Sequence, residues 1–374
     1  MQKIKRIQML WTGIMIISSL TLVGIPYAQG DTWYVKTDGS DTNGGTSWED
    51  SFQTILRGIT EASAGDTVLV ADGTYTGDGN KNISLGYRNM IVRSVNGPQS
   101  CIIDLQNDGK GFDLDRTNTT ATLIDGFTIM NGNPASEYDY GVGIRCAWCS
   151  AIIRNCIIKN NSGVQWGAGI DIRHSPAHPV ITNTIFYNNH SSYAGGAVSI
   201  YQASATFINC TFYSNTSFIS VIAATPTTDF INCIFWGNTP SSTFTGLDIS
   251  YSDVEGGNEG TDNIEINPEF VDPDNENFSL SSASFCIDAG SNDPPSIADH
   301  DIFGQPRFID GDDDGEALAD MGAHEYGDIG ECDYDKDLDV DGADLVGFIN
   351  DSKGYTIADF VEDFGRTDCP DYIQ

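Results

Sequence analysis

"ATFINCTFYSN" (Ala205–Asn215) and "TDFINCIFWGN" (Thr228–Asn238) are nearly the same phrase, with Asn, Cys and a closing Asn in matching places. Two further copies precede them, "AIIRNCIIKNN" (Ala151–Asn161) and "PVITNTIFYNN" (Pro179–Asn189). Aligned on the first Asn, they place Asn155, Asn183, Asn209 and Asn232 at steps of 28, 26 and 23 residues. A weaker copy, "TLIDGFTIMNG" (Thr122–Gly132), has Gly126 in the Asn position. Periods of this length mark stacked repeats. The apolar runs are rich in Ile, Phe and Val, too short for helices, and closed by Gly, Asn or Ser. Three short strands and three turns use about 22–28 residues, and such coils stack in parallel at ~4.8 Å. The expected fold is all-β, a parallel β-helix solenoid.

On that reading the first Asn of each phrase takes the left-handed backbone of a tight bend, and its amide can bond to the Asn one coil away. The residues that follow, Cys156, Thr184, Cys210 and Cys233, form an inward column of small packing side chains. A second strand follows a Gly-rich step in each coil: "GKGFDLDR" (Gly109–Arg116), "GVGIRCAW" (Gly141–Trp148), "GAGIDIRH" (Gly167–His174), "GGAVSIYQ" (Gly195–Gln202) and, less clearly, "TGLDISY" (Thr245–Tyr251). Period-2 alternation points Phe112, Ile144, Ile170 and Val198 inward, with Leu114, Cys146, Ile172 and Ile200, and turns the alternate positions to water.

Those alternate positions make two columns, Asp113, Arg145, Asp171, Ser199 and Asp115, Ala147, Arg173, Tyr201. Arg116, Trp148 and His174 follow at the turn. Acid and base one coil apart fit a salt-bridged ladder, worth little per pair when exposed. The same set suits a sugar, with charged groups for hydroxyls or carboxylates and the rings of Trp148, His174 and Tyr201 for stacking.

The 374-residue chain carries 18 Lys+Arg against 53 Asp+Glu, a formal charge of −35. That balance repels nucleic acid and anionic lipid and attracts cations. Residues 1–30 read as a secretory leader: Lys3, Lys5 and Arg6, an apolar stretch from about Met9 to Val23, then small residues before Asp31. Without those three cations, 15 Lys+Arg face 53 Asp+Glu, and the charge becomes −38. Nine Cys is an odd number, so at least one thiol has no partner within the chain.

The opening "WYVKTDGSDTNGGTSWEDSFQTILRGITEASAGDTVLVADGTYTG" (Trp33–Gly77) reads as a short strand, a polar loop and a helix near Ser51–Ala62 carrying Phe52, Ile55, Leu56 and Ile59. It resembles the start of secreted right-handed parallel β-helix proteins of the pectin-lyase-like superfamily, over roughly Asp31–Glu255. The superfamily implies polysaccharide lyases, hydrolases and epimerases, and also surface proteins without known activity. The paired aspartates, Gly-His-Gly and Arg-Ile-Lys patterns of its hydrolases are absent here. Its lyases use calcium-binding acids and a basic Arg on one outward face, for which Asp113, Asp171, Arg145 and Arg173 are the candidate catalytic residues.

"NPEFVDPDNENFSLSSASFCIDAGSND" (Asn267–Asp293) with "DIFGQPRFIDGDDDGEALADMGAHEYG" (Asp301–Gly327) resembles the choice-of-anchor Q closing segment, which implies a last coil and cap. Within it Asp310, Asp312, Asp314 and Asp320, with Gly315 at the bend, are a candidate calcium set. "CDYDKDLDVDGADLVGFI" (Cys332–Ile349) puts Asp333, Asp335, Asp337, Asp341 and Asp344 at positions 1, 3, 5, 9 and 12 of a calcium loop, with the Asp339 carbonyl at 7. This unit looks like a dockerin-type loop and helix over Gly330–Pro370. Leu338 replaces the usual bend Gly, and the second half lacks ligands, so one calcium is expected. Cys332 and Cys369 bracket the unit and are the favoured disulfide. Cys146-x-x-Cys149 is the runner-up pair; a zinc site there would need more than His174 or His178.

The expected organisation is a leader (1–30), an N-terminal cap and first coil (31–82), a right-handed parallel β-helix (83–266), a closing coil (267–327) and a dockerin-like module (328–374). The expected function is extracellular or cell-surface binding of a polysaccharide or surface glycan. The C-terminal module would dock, with calcium, to a cohesin-like or envelope protein. The alternatives are a calcium-dependent polysaccharide lyase or epimerase, and a non-catalytic adhesin or stalk.

Overall fold

The computed structural model describes residues 30–116, 121–225, 227–240, 247–312 and 314–327. The leader up to residue 29, the Asp333–Asp344 loop and the Cys332–Cys369 pair lie outside them. The chain winds through three parallel sheets of nine, eight and six strands, each coil contributing at most one short strand to each, as a right-handed β-helix. One coil reads Ile152–Arg154, Ile157–Lys159 and Ile170–Arg173 in the first, second and third sheets. The next reads Val180–Thr182, Ile185–Tyr187 and Val198–Tyr201.

The phrase marks the bend between the first two sheets. Asn155, Asn183, Asn209 and Asn232 have φ of 51°, 46°, 50° and 55°, and Gly126 has 83°, so the left-handed conformation explains why only Asn or Gly stands there. Cys156, Thr184, Cys210 and Cys233 are fully buried. Each side chain donates to the carbonyl two residues back: Cys156 Sγ to Arg154 at 3.1 Å, Thr184 Oγ1 to Thr182 at 2.9 Å, and Cys233 Sγ to Ile231 at 3.3 Å. A small donor is what the column requires, so thiol and hydroxyl interchange, and Ser252 continues it by donating to Ser250 O at 2.8 Å.

The closing Asn of the phrase builds the stronger ladder. Asn161, Asn189, Asn215 and Asn238 are buried, and their amides bond from coil to coil at 3.1, 2.9 and 3.1 Å. Each Nδ2 also donates to a backbone carbonyl of the preceding coil, as Asn189 does to Ile158 O at 2.8 Å. Inside the coils Phe186, Phe212 and Phe235 stack at 4.9 and 4.6 Å, and Phe207 on Phe230 at 4.7 Å. Burying one such ring fully is worth about 1.5–3 kcal/mol relative to exposure.

Two expected elements move. The N-terminal helix spans Ile55–Glu61, because Thr54 caps it by accepting from Arg57 N at 3.3 Å, while Asp41 Oδ1 holds the amides of Gln53 and Thr54 in extended chain. Strand Asp248–Ser250, expected in the third sheet, pairs with Asp229–Ile231 in the first; among the described residues the third sheet ends at Ile222–Ala223, one coil earlier.

The expectation of a last coil over 267–327 does not hold. After Ile264 bridges Asp253, the chain turns back along the solenoid flank. Ser291 N donates to Asn232 Oδ1, Ala323 N to Thr211 Oγ1 and Asn183 Nδ2 to His300 O, and Lys159 pairs with Glu276. The physical reason lies on the outer face of the second sheet, where Ile157, Ile185 and Ile234 occupy outward positions. Phe278 covers them with Phe270, Leu280, Ile302 and Met321, so this sheet is apolar on both faces. The segment is locked by Arg307, fully buried, which pairs with Glu325 at 3.2 Å and donates to Asn183 Oδ1 at 2.9 Å.

Candidate functional site

The outward face of the third sheet carries every candidate catalytic and sugar-binding residue, in the expected register: Asp113 beside Arg145, Arg145 beside Asp171, and Ala147 beside Arg173 beside Tyr201. The charges are paired. Arg145 NH1 donates to Asp113 Oδ1 at 2.8 Å. Arg173 grips Asp171 with two bonds, Nε to Oδ2 at 2.5 Å and NH2 to Oδ1 at 2.7 Å, the geometry of a strong guanidinium–carboxylate pair.

One column does not face water as alternation predicts. Asp171 is 0% exposed and Ser199 is buried, because the Gly167 and Gly195 backbone crosses directly over them. A Cβ on Gly167 would sit 2.7 Å from Asp171 Cβ, and one on Gly195 2.8 Å from Ser199 Cβ. Burial pushes the Asp171 carboxyl up from its ordinary value, against the pull of Arg173. The Tyr140 ring lies 3.5 Å from the Arg173 guanidinium, closing that side as well.

Aromatic rings flank the ladder. Trp148 stacks on His174 at 4.2 Å, and Arg116 lies over both Trp148 (5.3 Å) and Tyr87 (5.6 Å). On the other margin Trp166 packs against Tyr193 at 4.7 Å, next to Tyr140, which bridges Trp166. Tyr87, Tyr193 and Tyr201 are 65%, 42% and 54% exposed, so their rings are available to a ligand. Tyr87, Tyr140, Trp166 and Tyr193 were not candidates from sequence. The signal was one aromatic per coil in the segment before the third-sheet strand, Tyr140, Trp166 and Tyr193.

Chemically the face suits recognition better than proton transfer. Arg keeps its proton in proteins and so makes a poor base, and both guanidiniums are already engaged. Among the described residues, three carboxylates converge at one place only, Asp288, Asp310 and Asp312 in the closing segment, and none of these is on this face. Of the four residues expected as a calcium set, Asp310 and Asp312 lie in this cluster. Asp320 is buried and accepts from Asp288 N at 2.8 Å and from Tyr326 N at 2.5 Å, so Asp288 stands where Asp320 was expected. Asp314 N donates to Asp310 Oδ1 at 3.0 Å, and the Asp314 carboxylate accepts from Glu316 N at 2.9 Å.

Cys146 and Cys149 form a disulfide with Cα atoms 5.3 Å apart. The bond removes the zinc reading: His174 stacks on Trp148, and His178 bonds Ser204 through Nδ1 at 2.7 Å. Cys101, Cys156, Cys210, Cys233 and Cys286 are free and buried, and burial pushes the Cys156 thiol up to about 12, which fits packing rather than reactivity.

A family model described as right handed beta helix region matches residues 87–265. No curated protein matches the sequence. Among solved structures the chain is similar to a pectate lyase, at 14% identity and TM-score 0.33 over 80% of this chain and 97% of that one. It is also similar to a lacto-N-biosidase from Eubacterium ramulus, at 9% identity and TM-score 0.33 over 59% of this chain and 52% of that one. For a rhamnogalacturonan lyase the figures are 12% and 0.31, over 65% and 91%. At these values the likenesses say nothing of this chain's activity.

Proposed function

We propose that the third-sheet face binds carbohydrate, in an exported protein whose C-terminal segment attaches or docks it. The observation that carries the binding reading is the aromatic row on each margin of a paired-charge ladder: Tyr87, Trp148 and His174 on one side, Tyr140, Trp166 and Tyr193 on the other. Pyranose CH faces stack on such rings, while spare guanidinium N–H groups and carboxylate lone pairs meet hydroxyls. A glycan array followed by titration of the best ligand tests it: Trp148→Ala and Tyr201→Ala are each expected to weaken binding about tenfold. Equal binding by all three proteins, or no ligand across the array, sinks the reading and leaves a structural stalk.

The lyase or epimerase alternative has less support, because Arg145 and Arg173 are tied to Asp113 and Asp171. Release of ultraviolet-absorbing unsaturated uronides from acidic polysaccharides with calcium present would reverse that judgement. Export is supported by the Cys146–Cys149 disulfide. Calcium remains part of the proposal at two places, Asp333 to Asp344 in the dockerin-like loop, and Asp310 and Asp312 joined by Asp288. Deleting residues 328–374 is expected to abolish partner docking and the tighter calcium binding while the coils stay folded; unchanged docking after that deletion counts against an attachment role.

A further inference from the structure

The geometry points to a second ligand site, for a carboxylated sugar unit, on the flank where the closing segment stops. Arg93, Asp125, Arg154 and Thr182 stand in register in one outward column of the first sheet. Asp125 is spent on one side: Oδ2 accepts from Arg154 Nε at 3.1 Å and NH2 at 2.9 Å, and Oδ1 from Asn155 Nδ2 at 2.8 Å. Arg93, one coil away on the other side, is exposed, and its guanidinium has no hydrogen-bond or ion-pair partner among the described residues. Arg154 keeps NH1 unused, with its side chain 40% exposed.

The two guanidiniums line a crevice of about 330 Å³ with Asn96, Gln99, His300 and Phe303. That size suits a sugar-sized ligand. Its far wall is the tip of the closing segment, held by His300 O accepting from Asn183 Nδ2 at 2.6 Å and by Asp301 Oδ1 accepting from Phe303 N at 2.7 Å. Phe303 also borders an adjoining cavity of about 260 Å³ lined by Ile102, Ile157, Ile185 and Phe278. Two carboxylates also line the crevice, Asp125, held by Arg154 and Asn155, and Asp301, whose oxygens accept from the backbone amides of Phe303, Gln305 and Glu325, so the charge left to meet an anion is that of Arg93 with the spare N–H of Arg154. The planar forks match a carboxylate, the amides of Asn96 and Gln99 meet hydroxyls, and the Phe303 side offers an apolar surface to a sugar ring. The site is separate from the third-sheet face and does not depend on it.

Calorimetric titration of the full chain with glucuronate, glucose and inorganic phosphate tests this. Glucuronate is expected to bind at least about tenfold more tightly than either of the others. Arg93→Gln is expected to weaken glucuronate about tenfold, Arg93→Lys less, with the melting temperature and glycan-array binding unchanged. Glucose binding as well as glucuronate, absence of glucuronate binding, or full affinity in Arg93→Gln overturns the proposal. So does phosphate binding as tightly as glucuronate, which would make the crevice a simple anion site. If the array signal fails in Trp148→Ala while glucuronate binding persists, the two sites are shown to be independent.

Discussion

Asn189 Nδ2 donates to Asn215 Oδ1 at 2.9 Å, and both side chains are fully buried between consecutive coils. Asn215 Oδ1 also accepts from Asn189 N at 3.0 Å, and Asn215 Nδ2 donates to Phe186 O at 2.8 Å. Asn215→Ala therefore strands an amide, a carboxamide hydrogen and a carbonyl in the core, each costing about 1–3 kcal/mol when left unmet. A loss on the order of 3–5 kcal/mol in urea unfolding is expected. Asn155→Ala, at a half-exposed bend, is expected to lose less, chiefly through its φ of 51°. Equal losses at the two positions would show that the buried ladder is not the stronger one.

Arg307 is the only cation facing two buried carboxyl groups among the described residues of its cluster. Burial pushes the Glu325 and Asp320 carboxyls up from their ordinary values, and the Arg307 guanidinium, bonded to Glu325, is the charge that balances them. Arg307→Ala removes that balance and frees Asn183 Oδ1, at an expected cost of about 3–5 kcal/mol. The closing segment should then detach while the coils persist. Limited proteolysis should cut within 267–327 at protease levels that leave the wild type whole, with far-ultraviolet circular dichroism little changed. Cleavage at wild-type rates would show that Arg307 does not hold the segment.

The coils were legible because their physics is periodic. The first Asn announced a left-handed bend, and alternation assigned the inward columns and the cross-coil register down to Ala147 beside Arg173. What escaped lies where periodicity is silent. The closing Asn of each phrase sits past the strand, so hydropathy does not distinguish a buried amide ladder from a polar turn. Asp171 reads as outward, and only the close crossing of Gly167 buries it. The fold-back of the closing segment did leave a trace: Ile157, Ile185 and Ile234 stand in outward positions that a solvated sheet fills with polar residues. Asp288 could not be placed with Asp310 and Asp312 from spacing, because a fold-back rather than a local loop brings them together.

Asp253 should make stability fall with rising pH. Burial pushes its carboxyl up to about 7, with Glu255 and Glu265 adding to the effect, and its Oδ2 lies 3.5 Å from the Cys286 thiol. An unfolded Asp titrates near ~3.9. Between about pH 4 and 7 the folded chain keeps a proton the unfolded chain has lost, so this contribution is complete below pH 4 and gone above pH 7. Asp253→Asn retains an acceptor for Ile266 N and cannot ionise. It is expected to match the wild type near pH 4 and to exceed it at pH 8 by on the order of 1–3 kcal/mol in urea midpoints. Parallel curves for the two proteins across that range would refute the assignment.

Arg173→Ala is the obvious substitution for probing ligand binding or catalysis on the third-sheet face, and its result is expected to be structural. Asp171 is wholly buried and both its oxygens are bonded by Arg173, so removing the guanidinium leaves a buried carboxyl with only the Ser199 hydroxyl and the Arg145 charge to favour its ionised form. Asp171→Asn leaves Arg173 beneath Tyr140 with one acceptor fewer. Each single change is expected to destabilise by about 2–4 kcal/mol, and the double variant by clearly less than their sum, a coupling of about 1–3 kcal/mol in a double-mutant cycle. Trp148→Ala, which removes a half-exposed ring and no buried charge, should be near neutral in the same assay while weakening sugar binding. If instead the Asp171 and Arg173 changes proved additive and mild, the pair would be a surface ladder after all, and loss of binding in Arg173→Ala could be read as loss of a ligand contact.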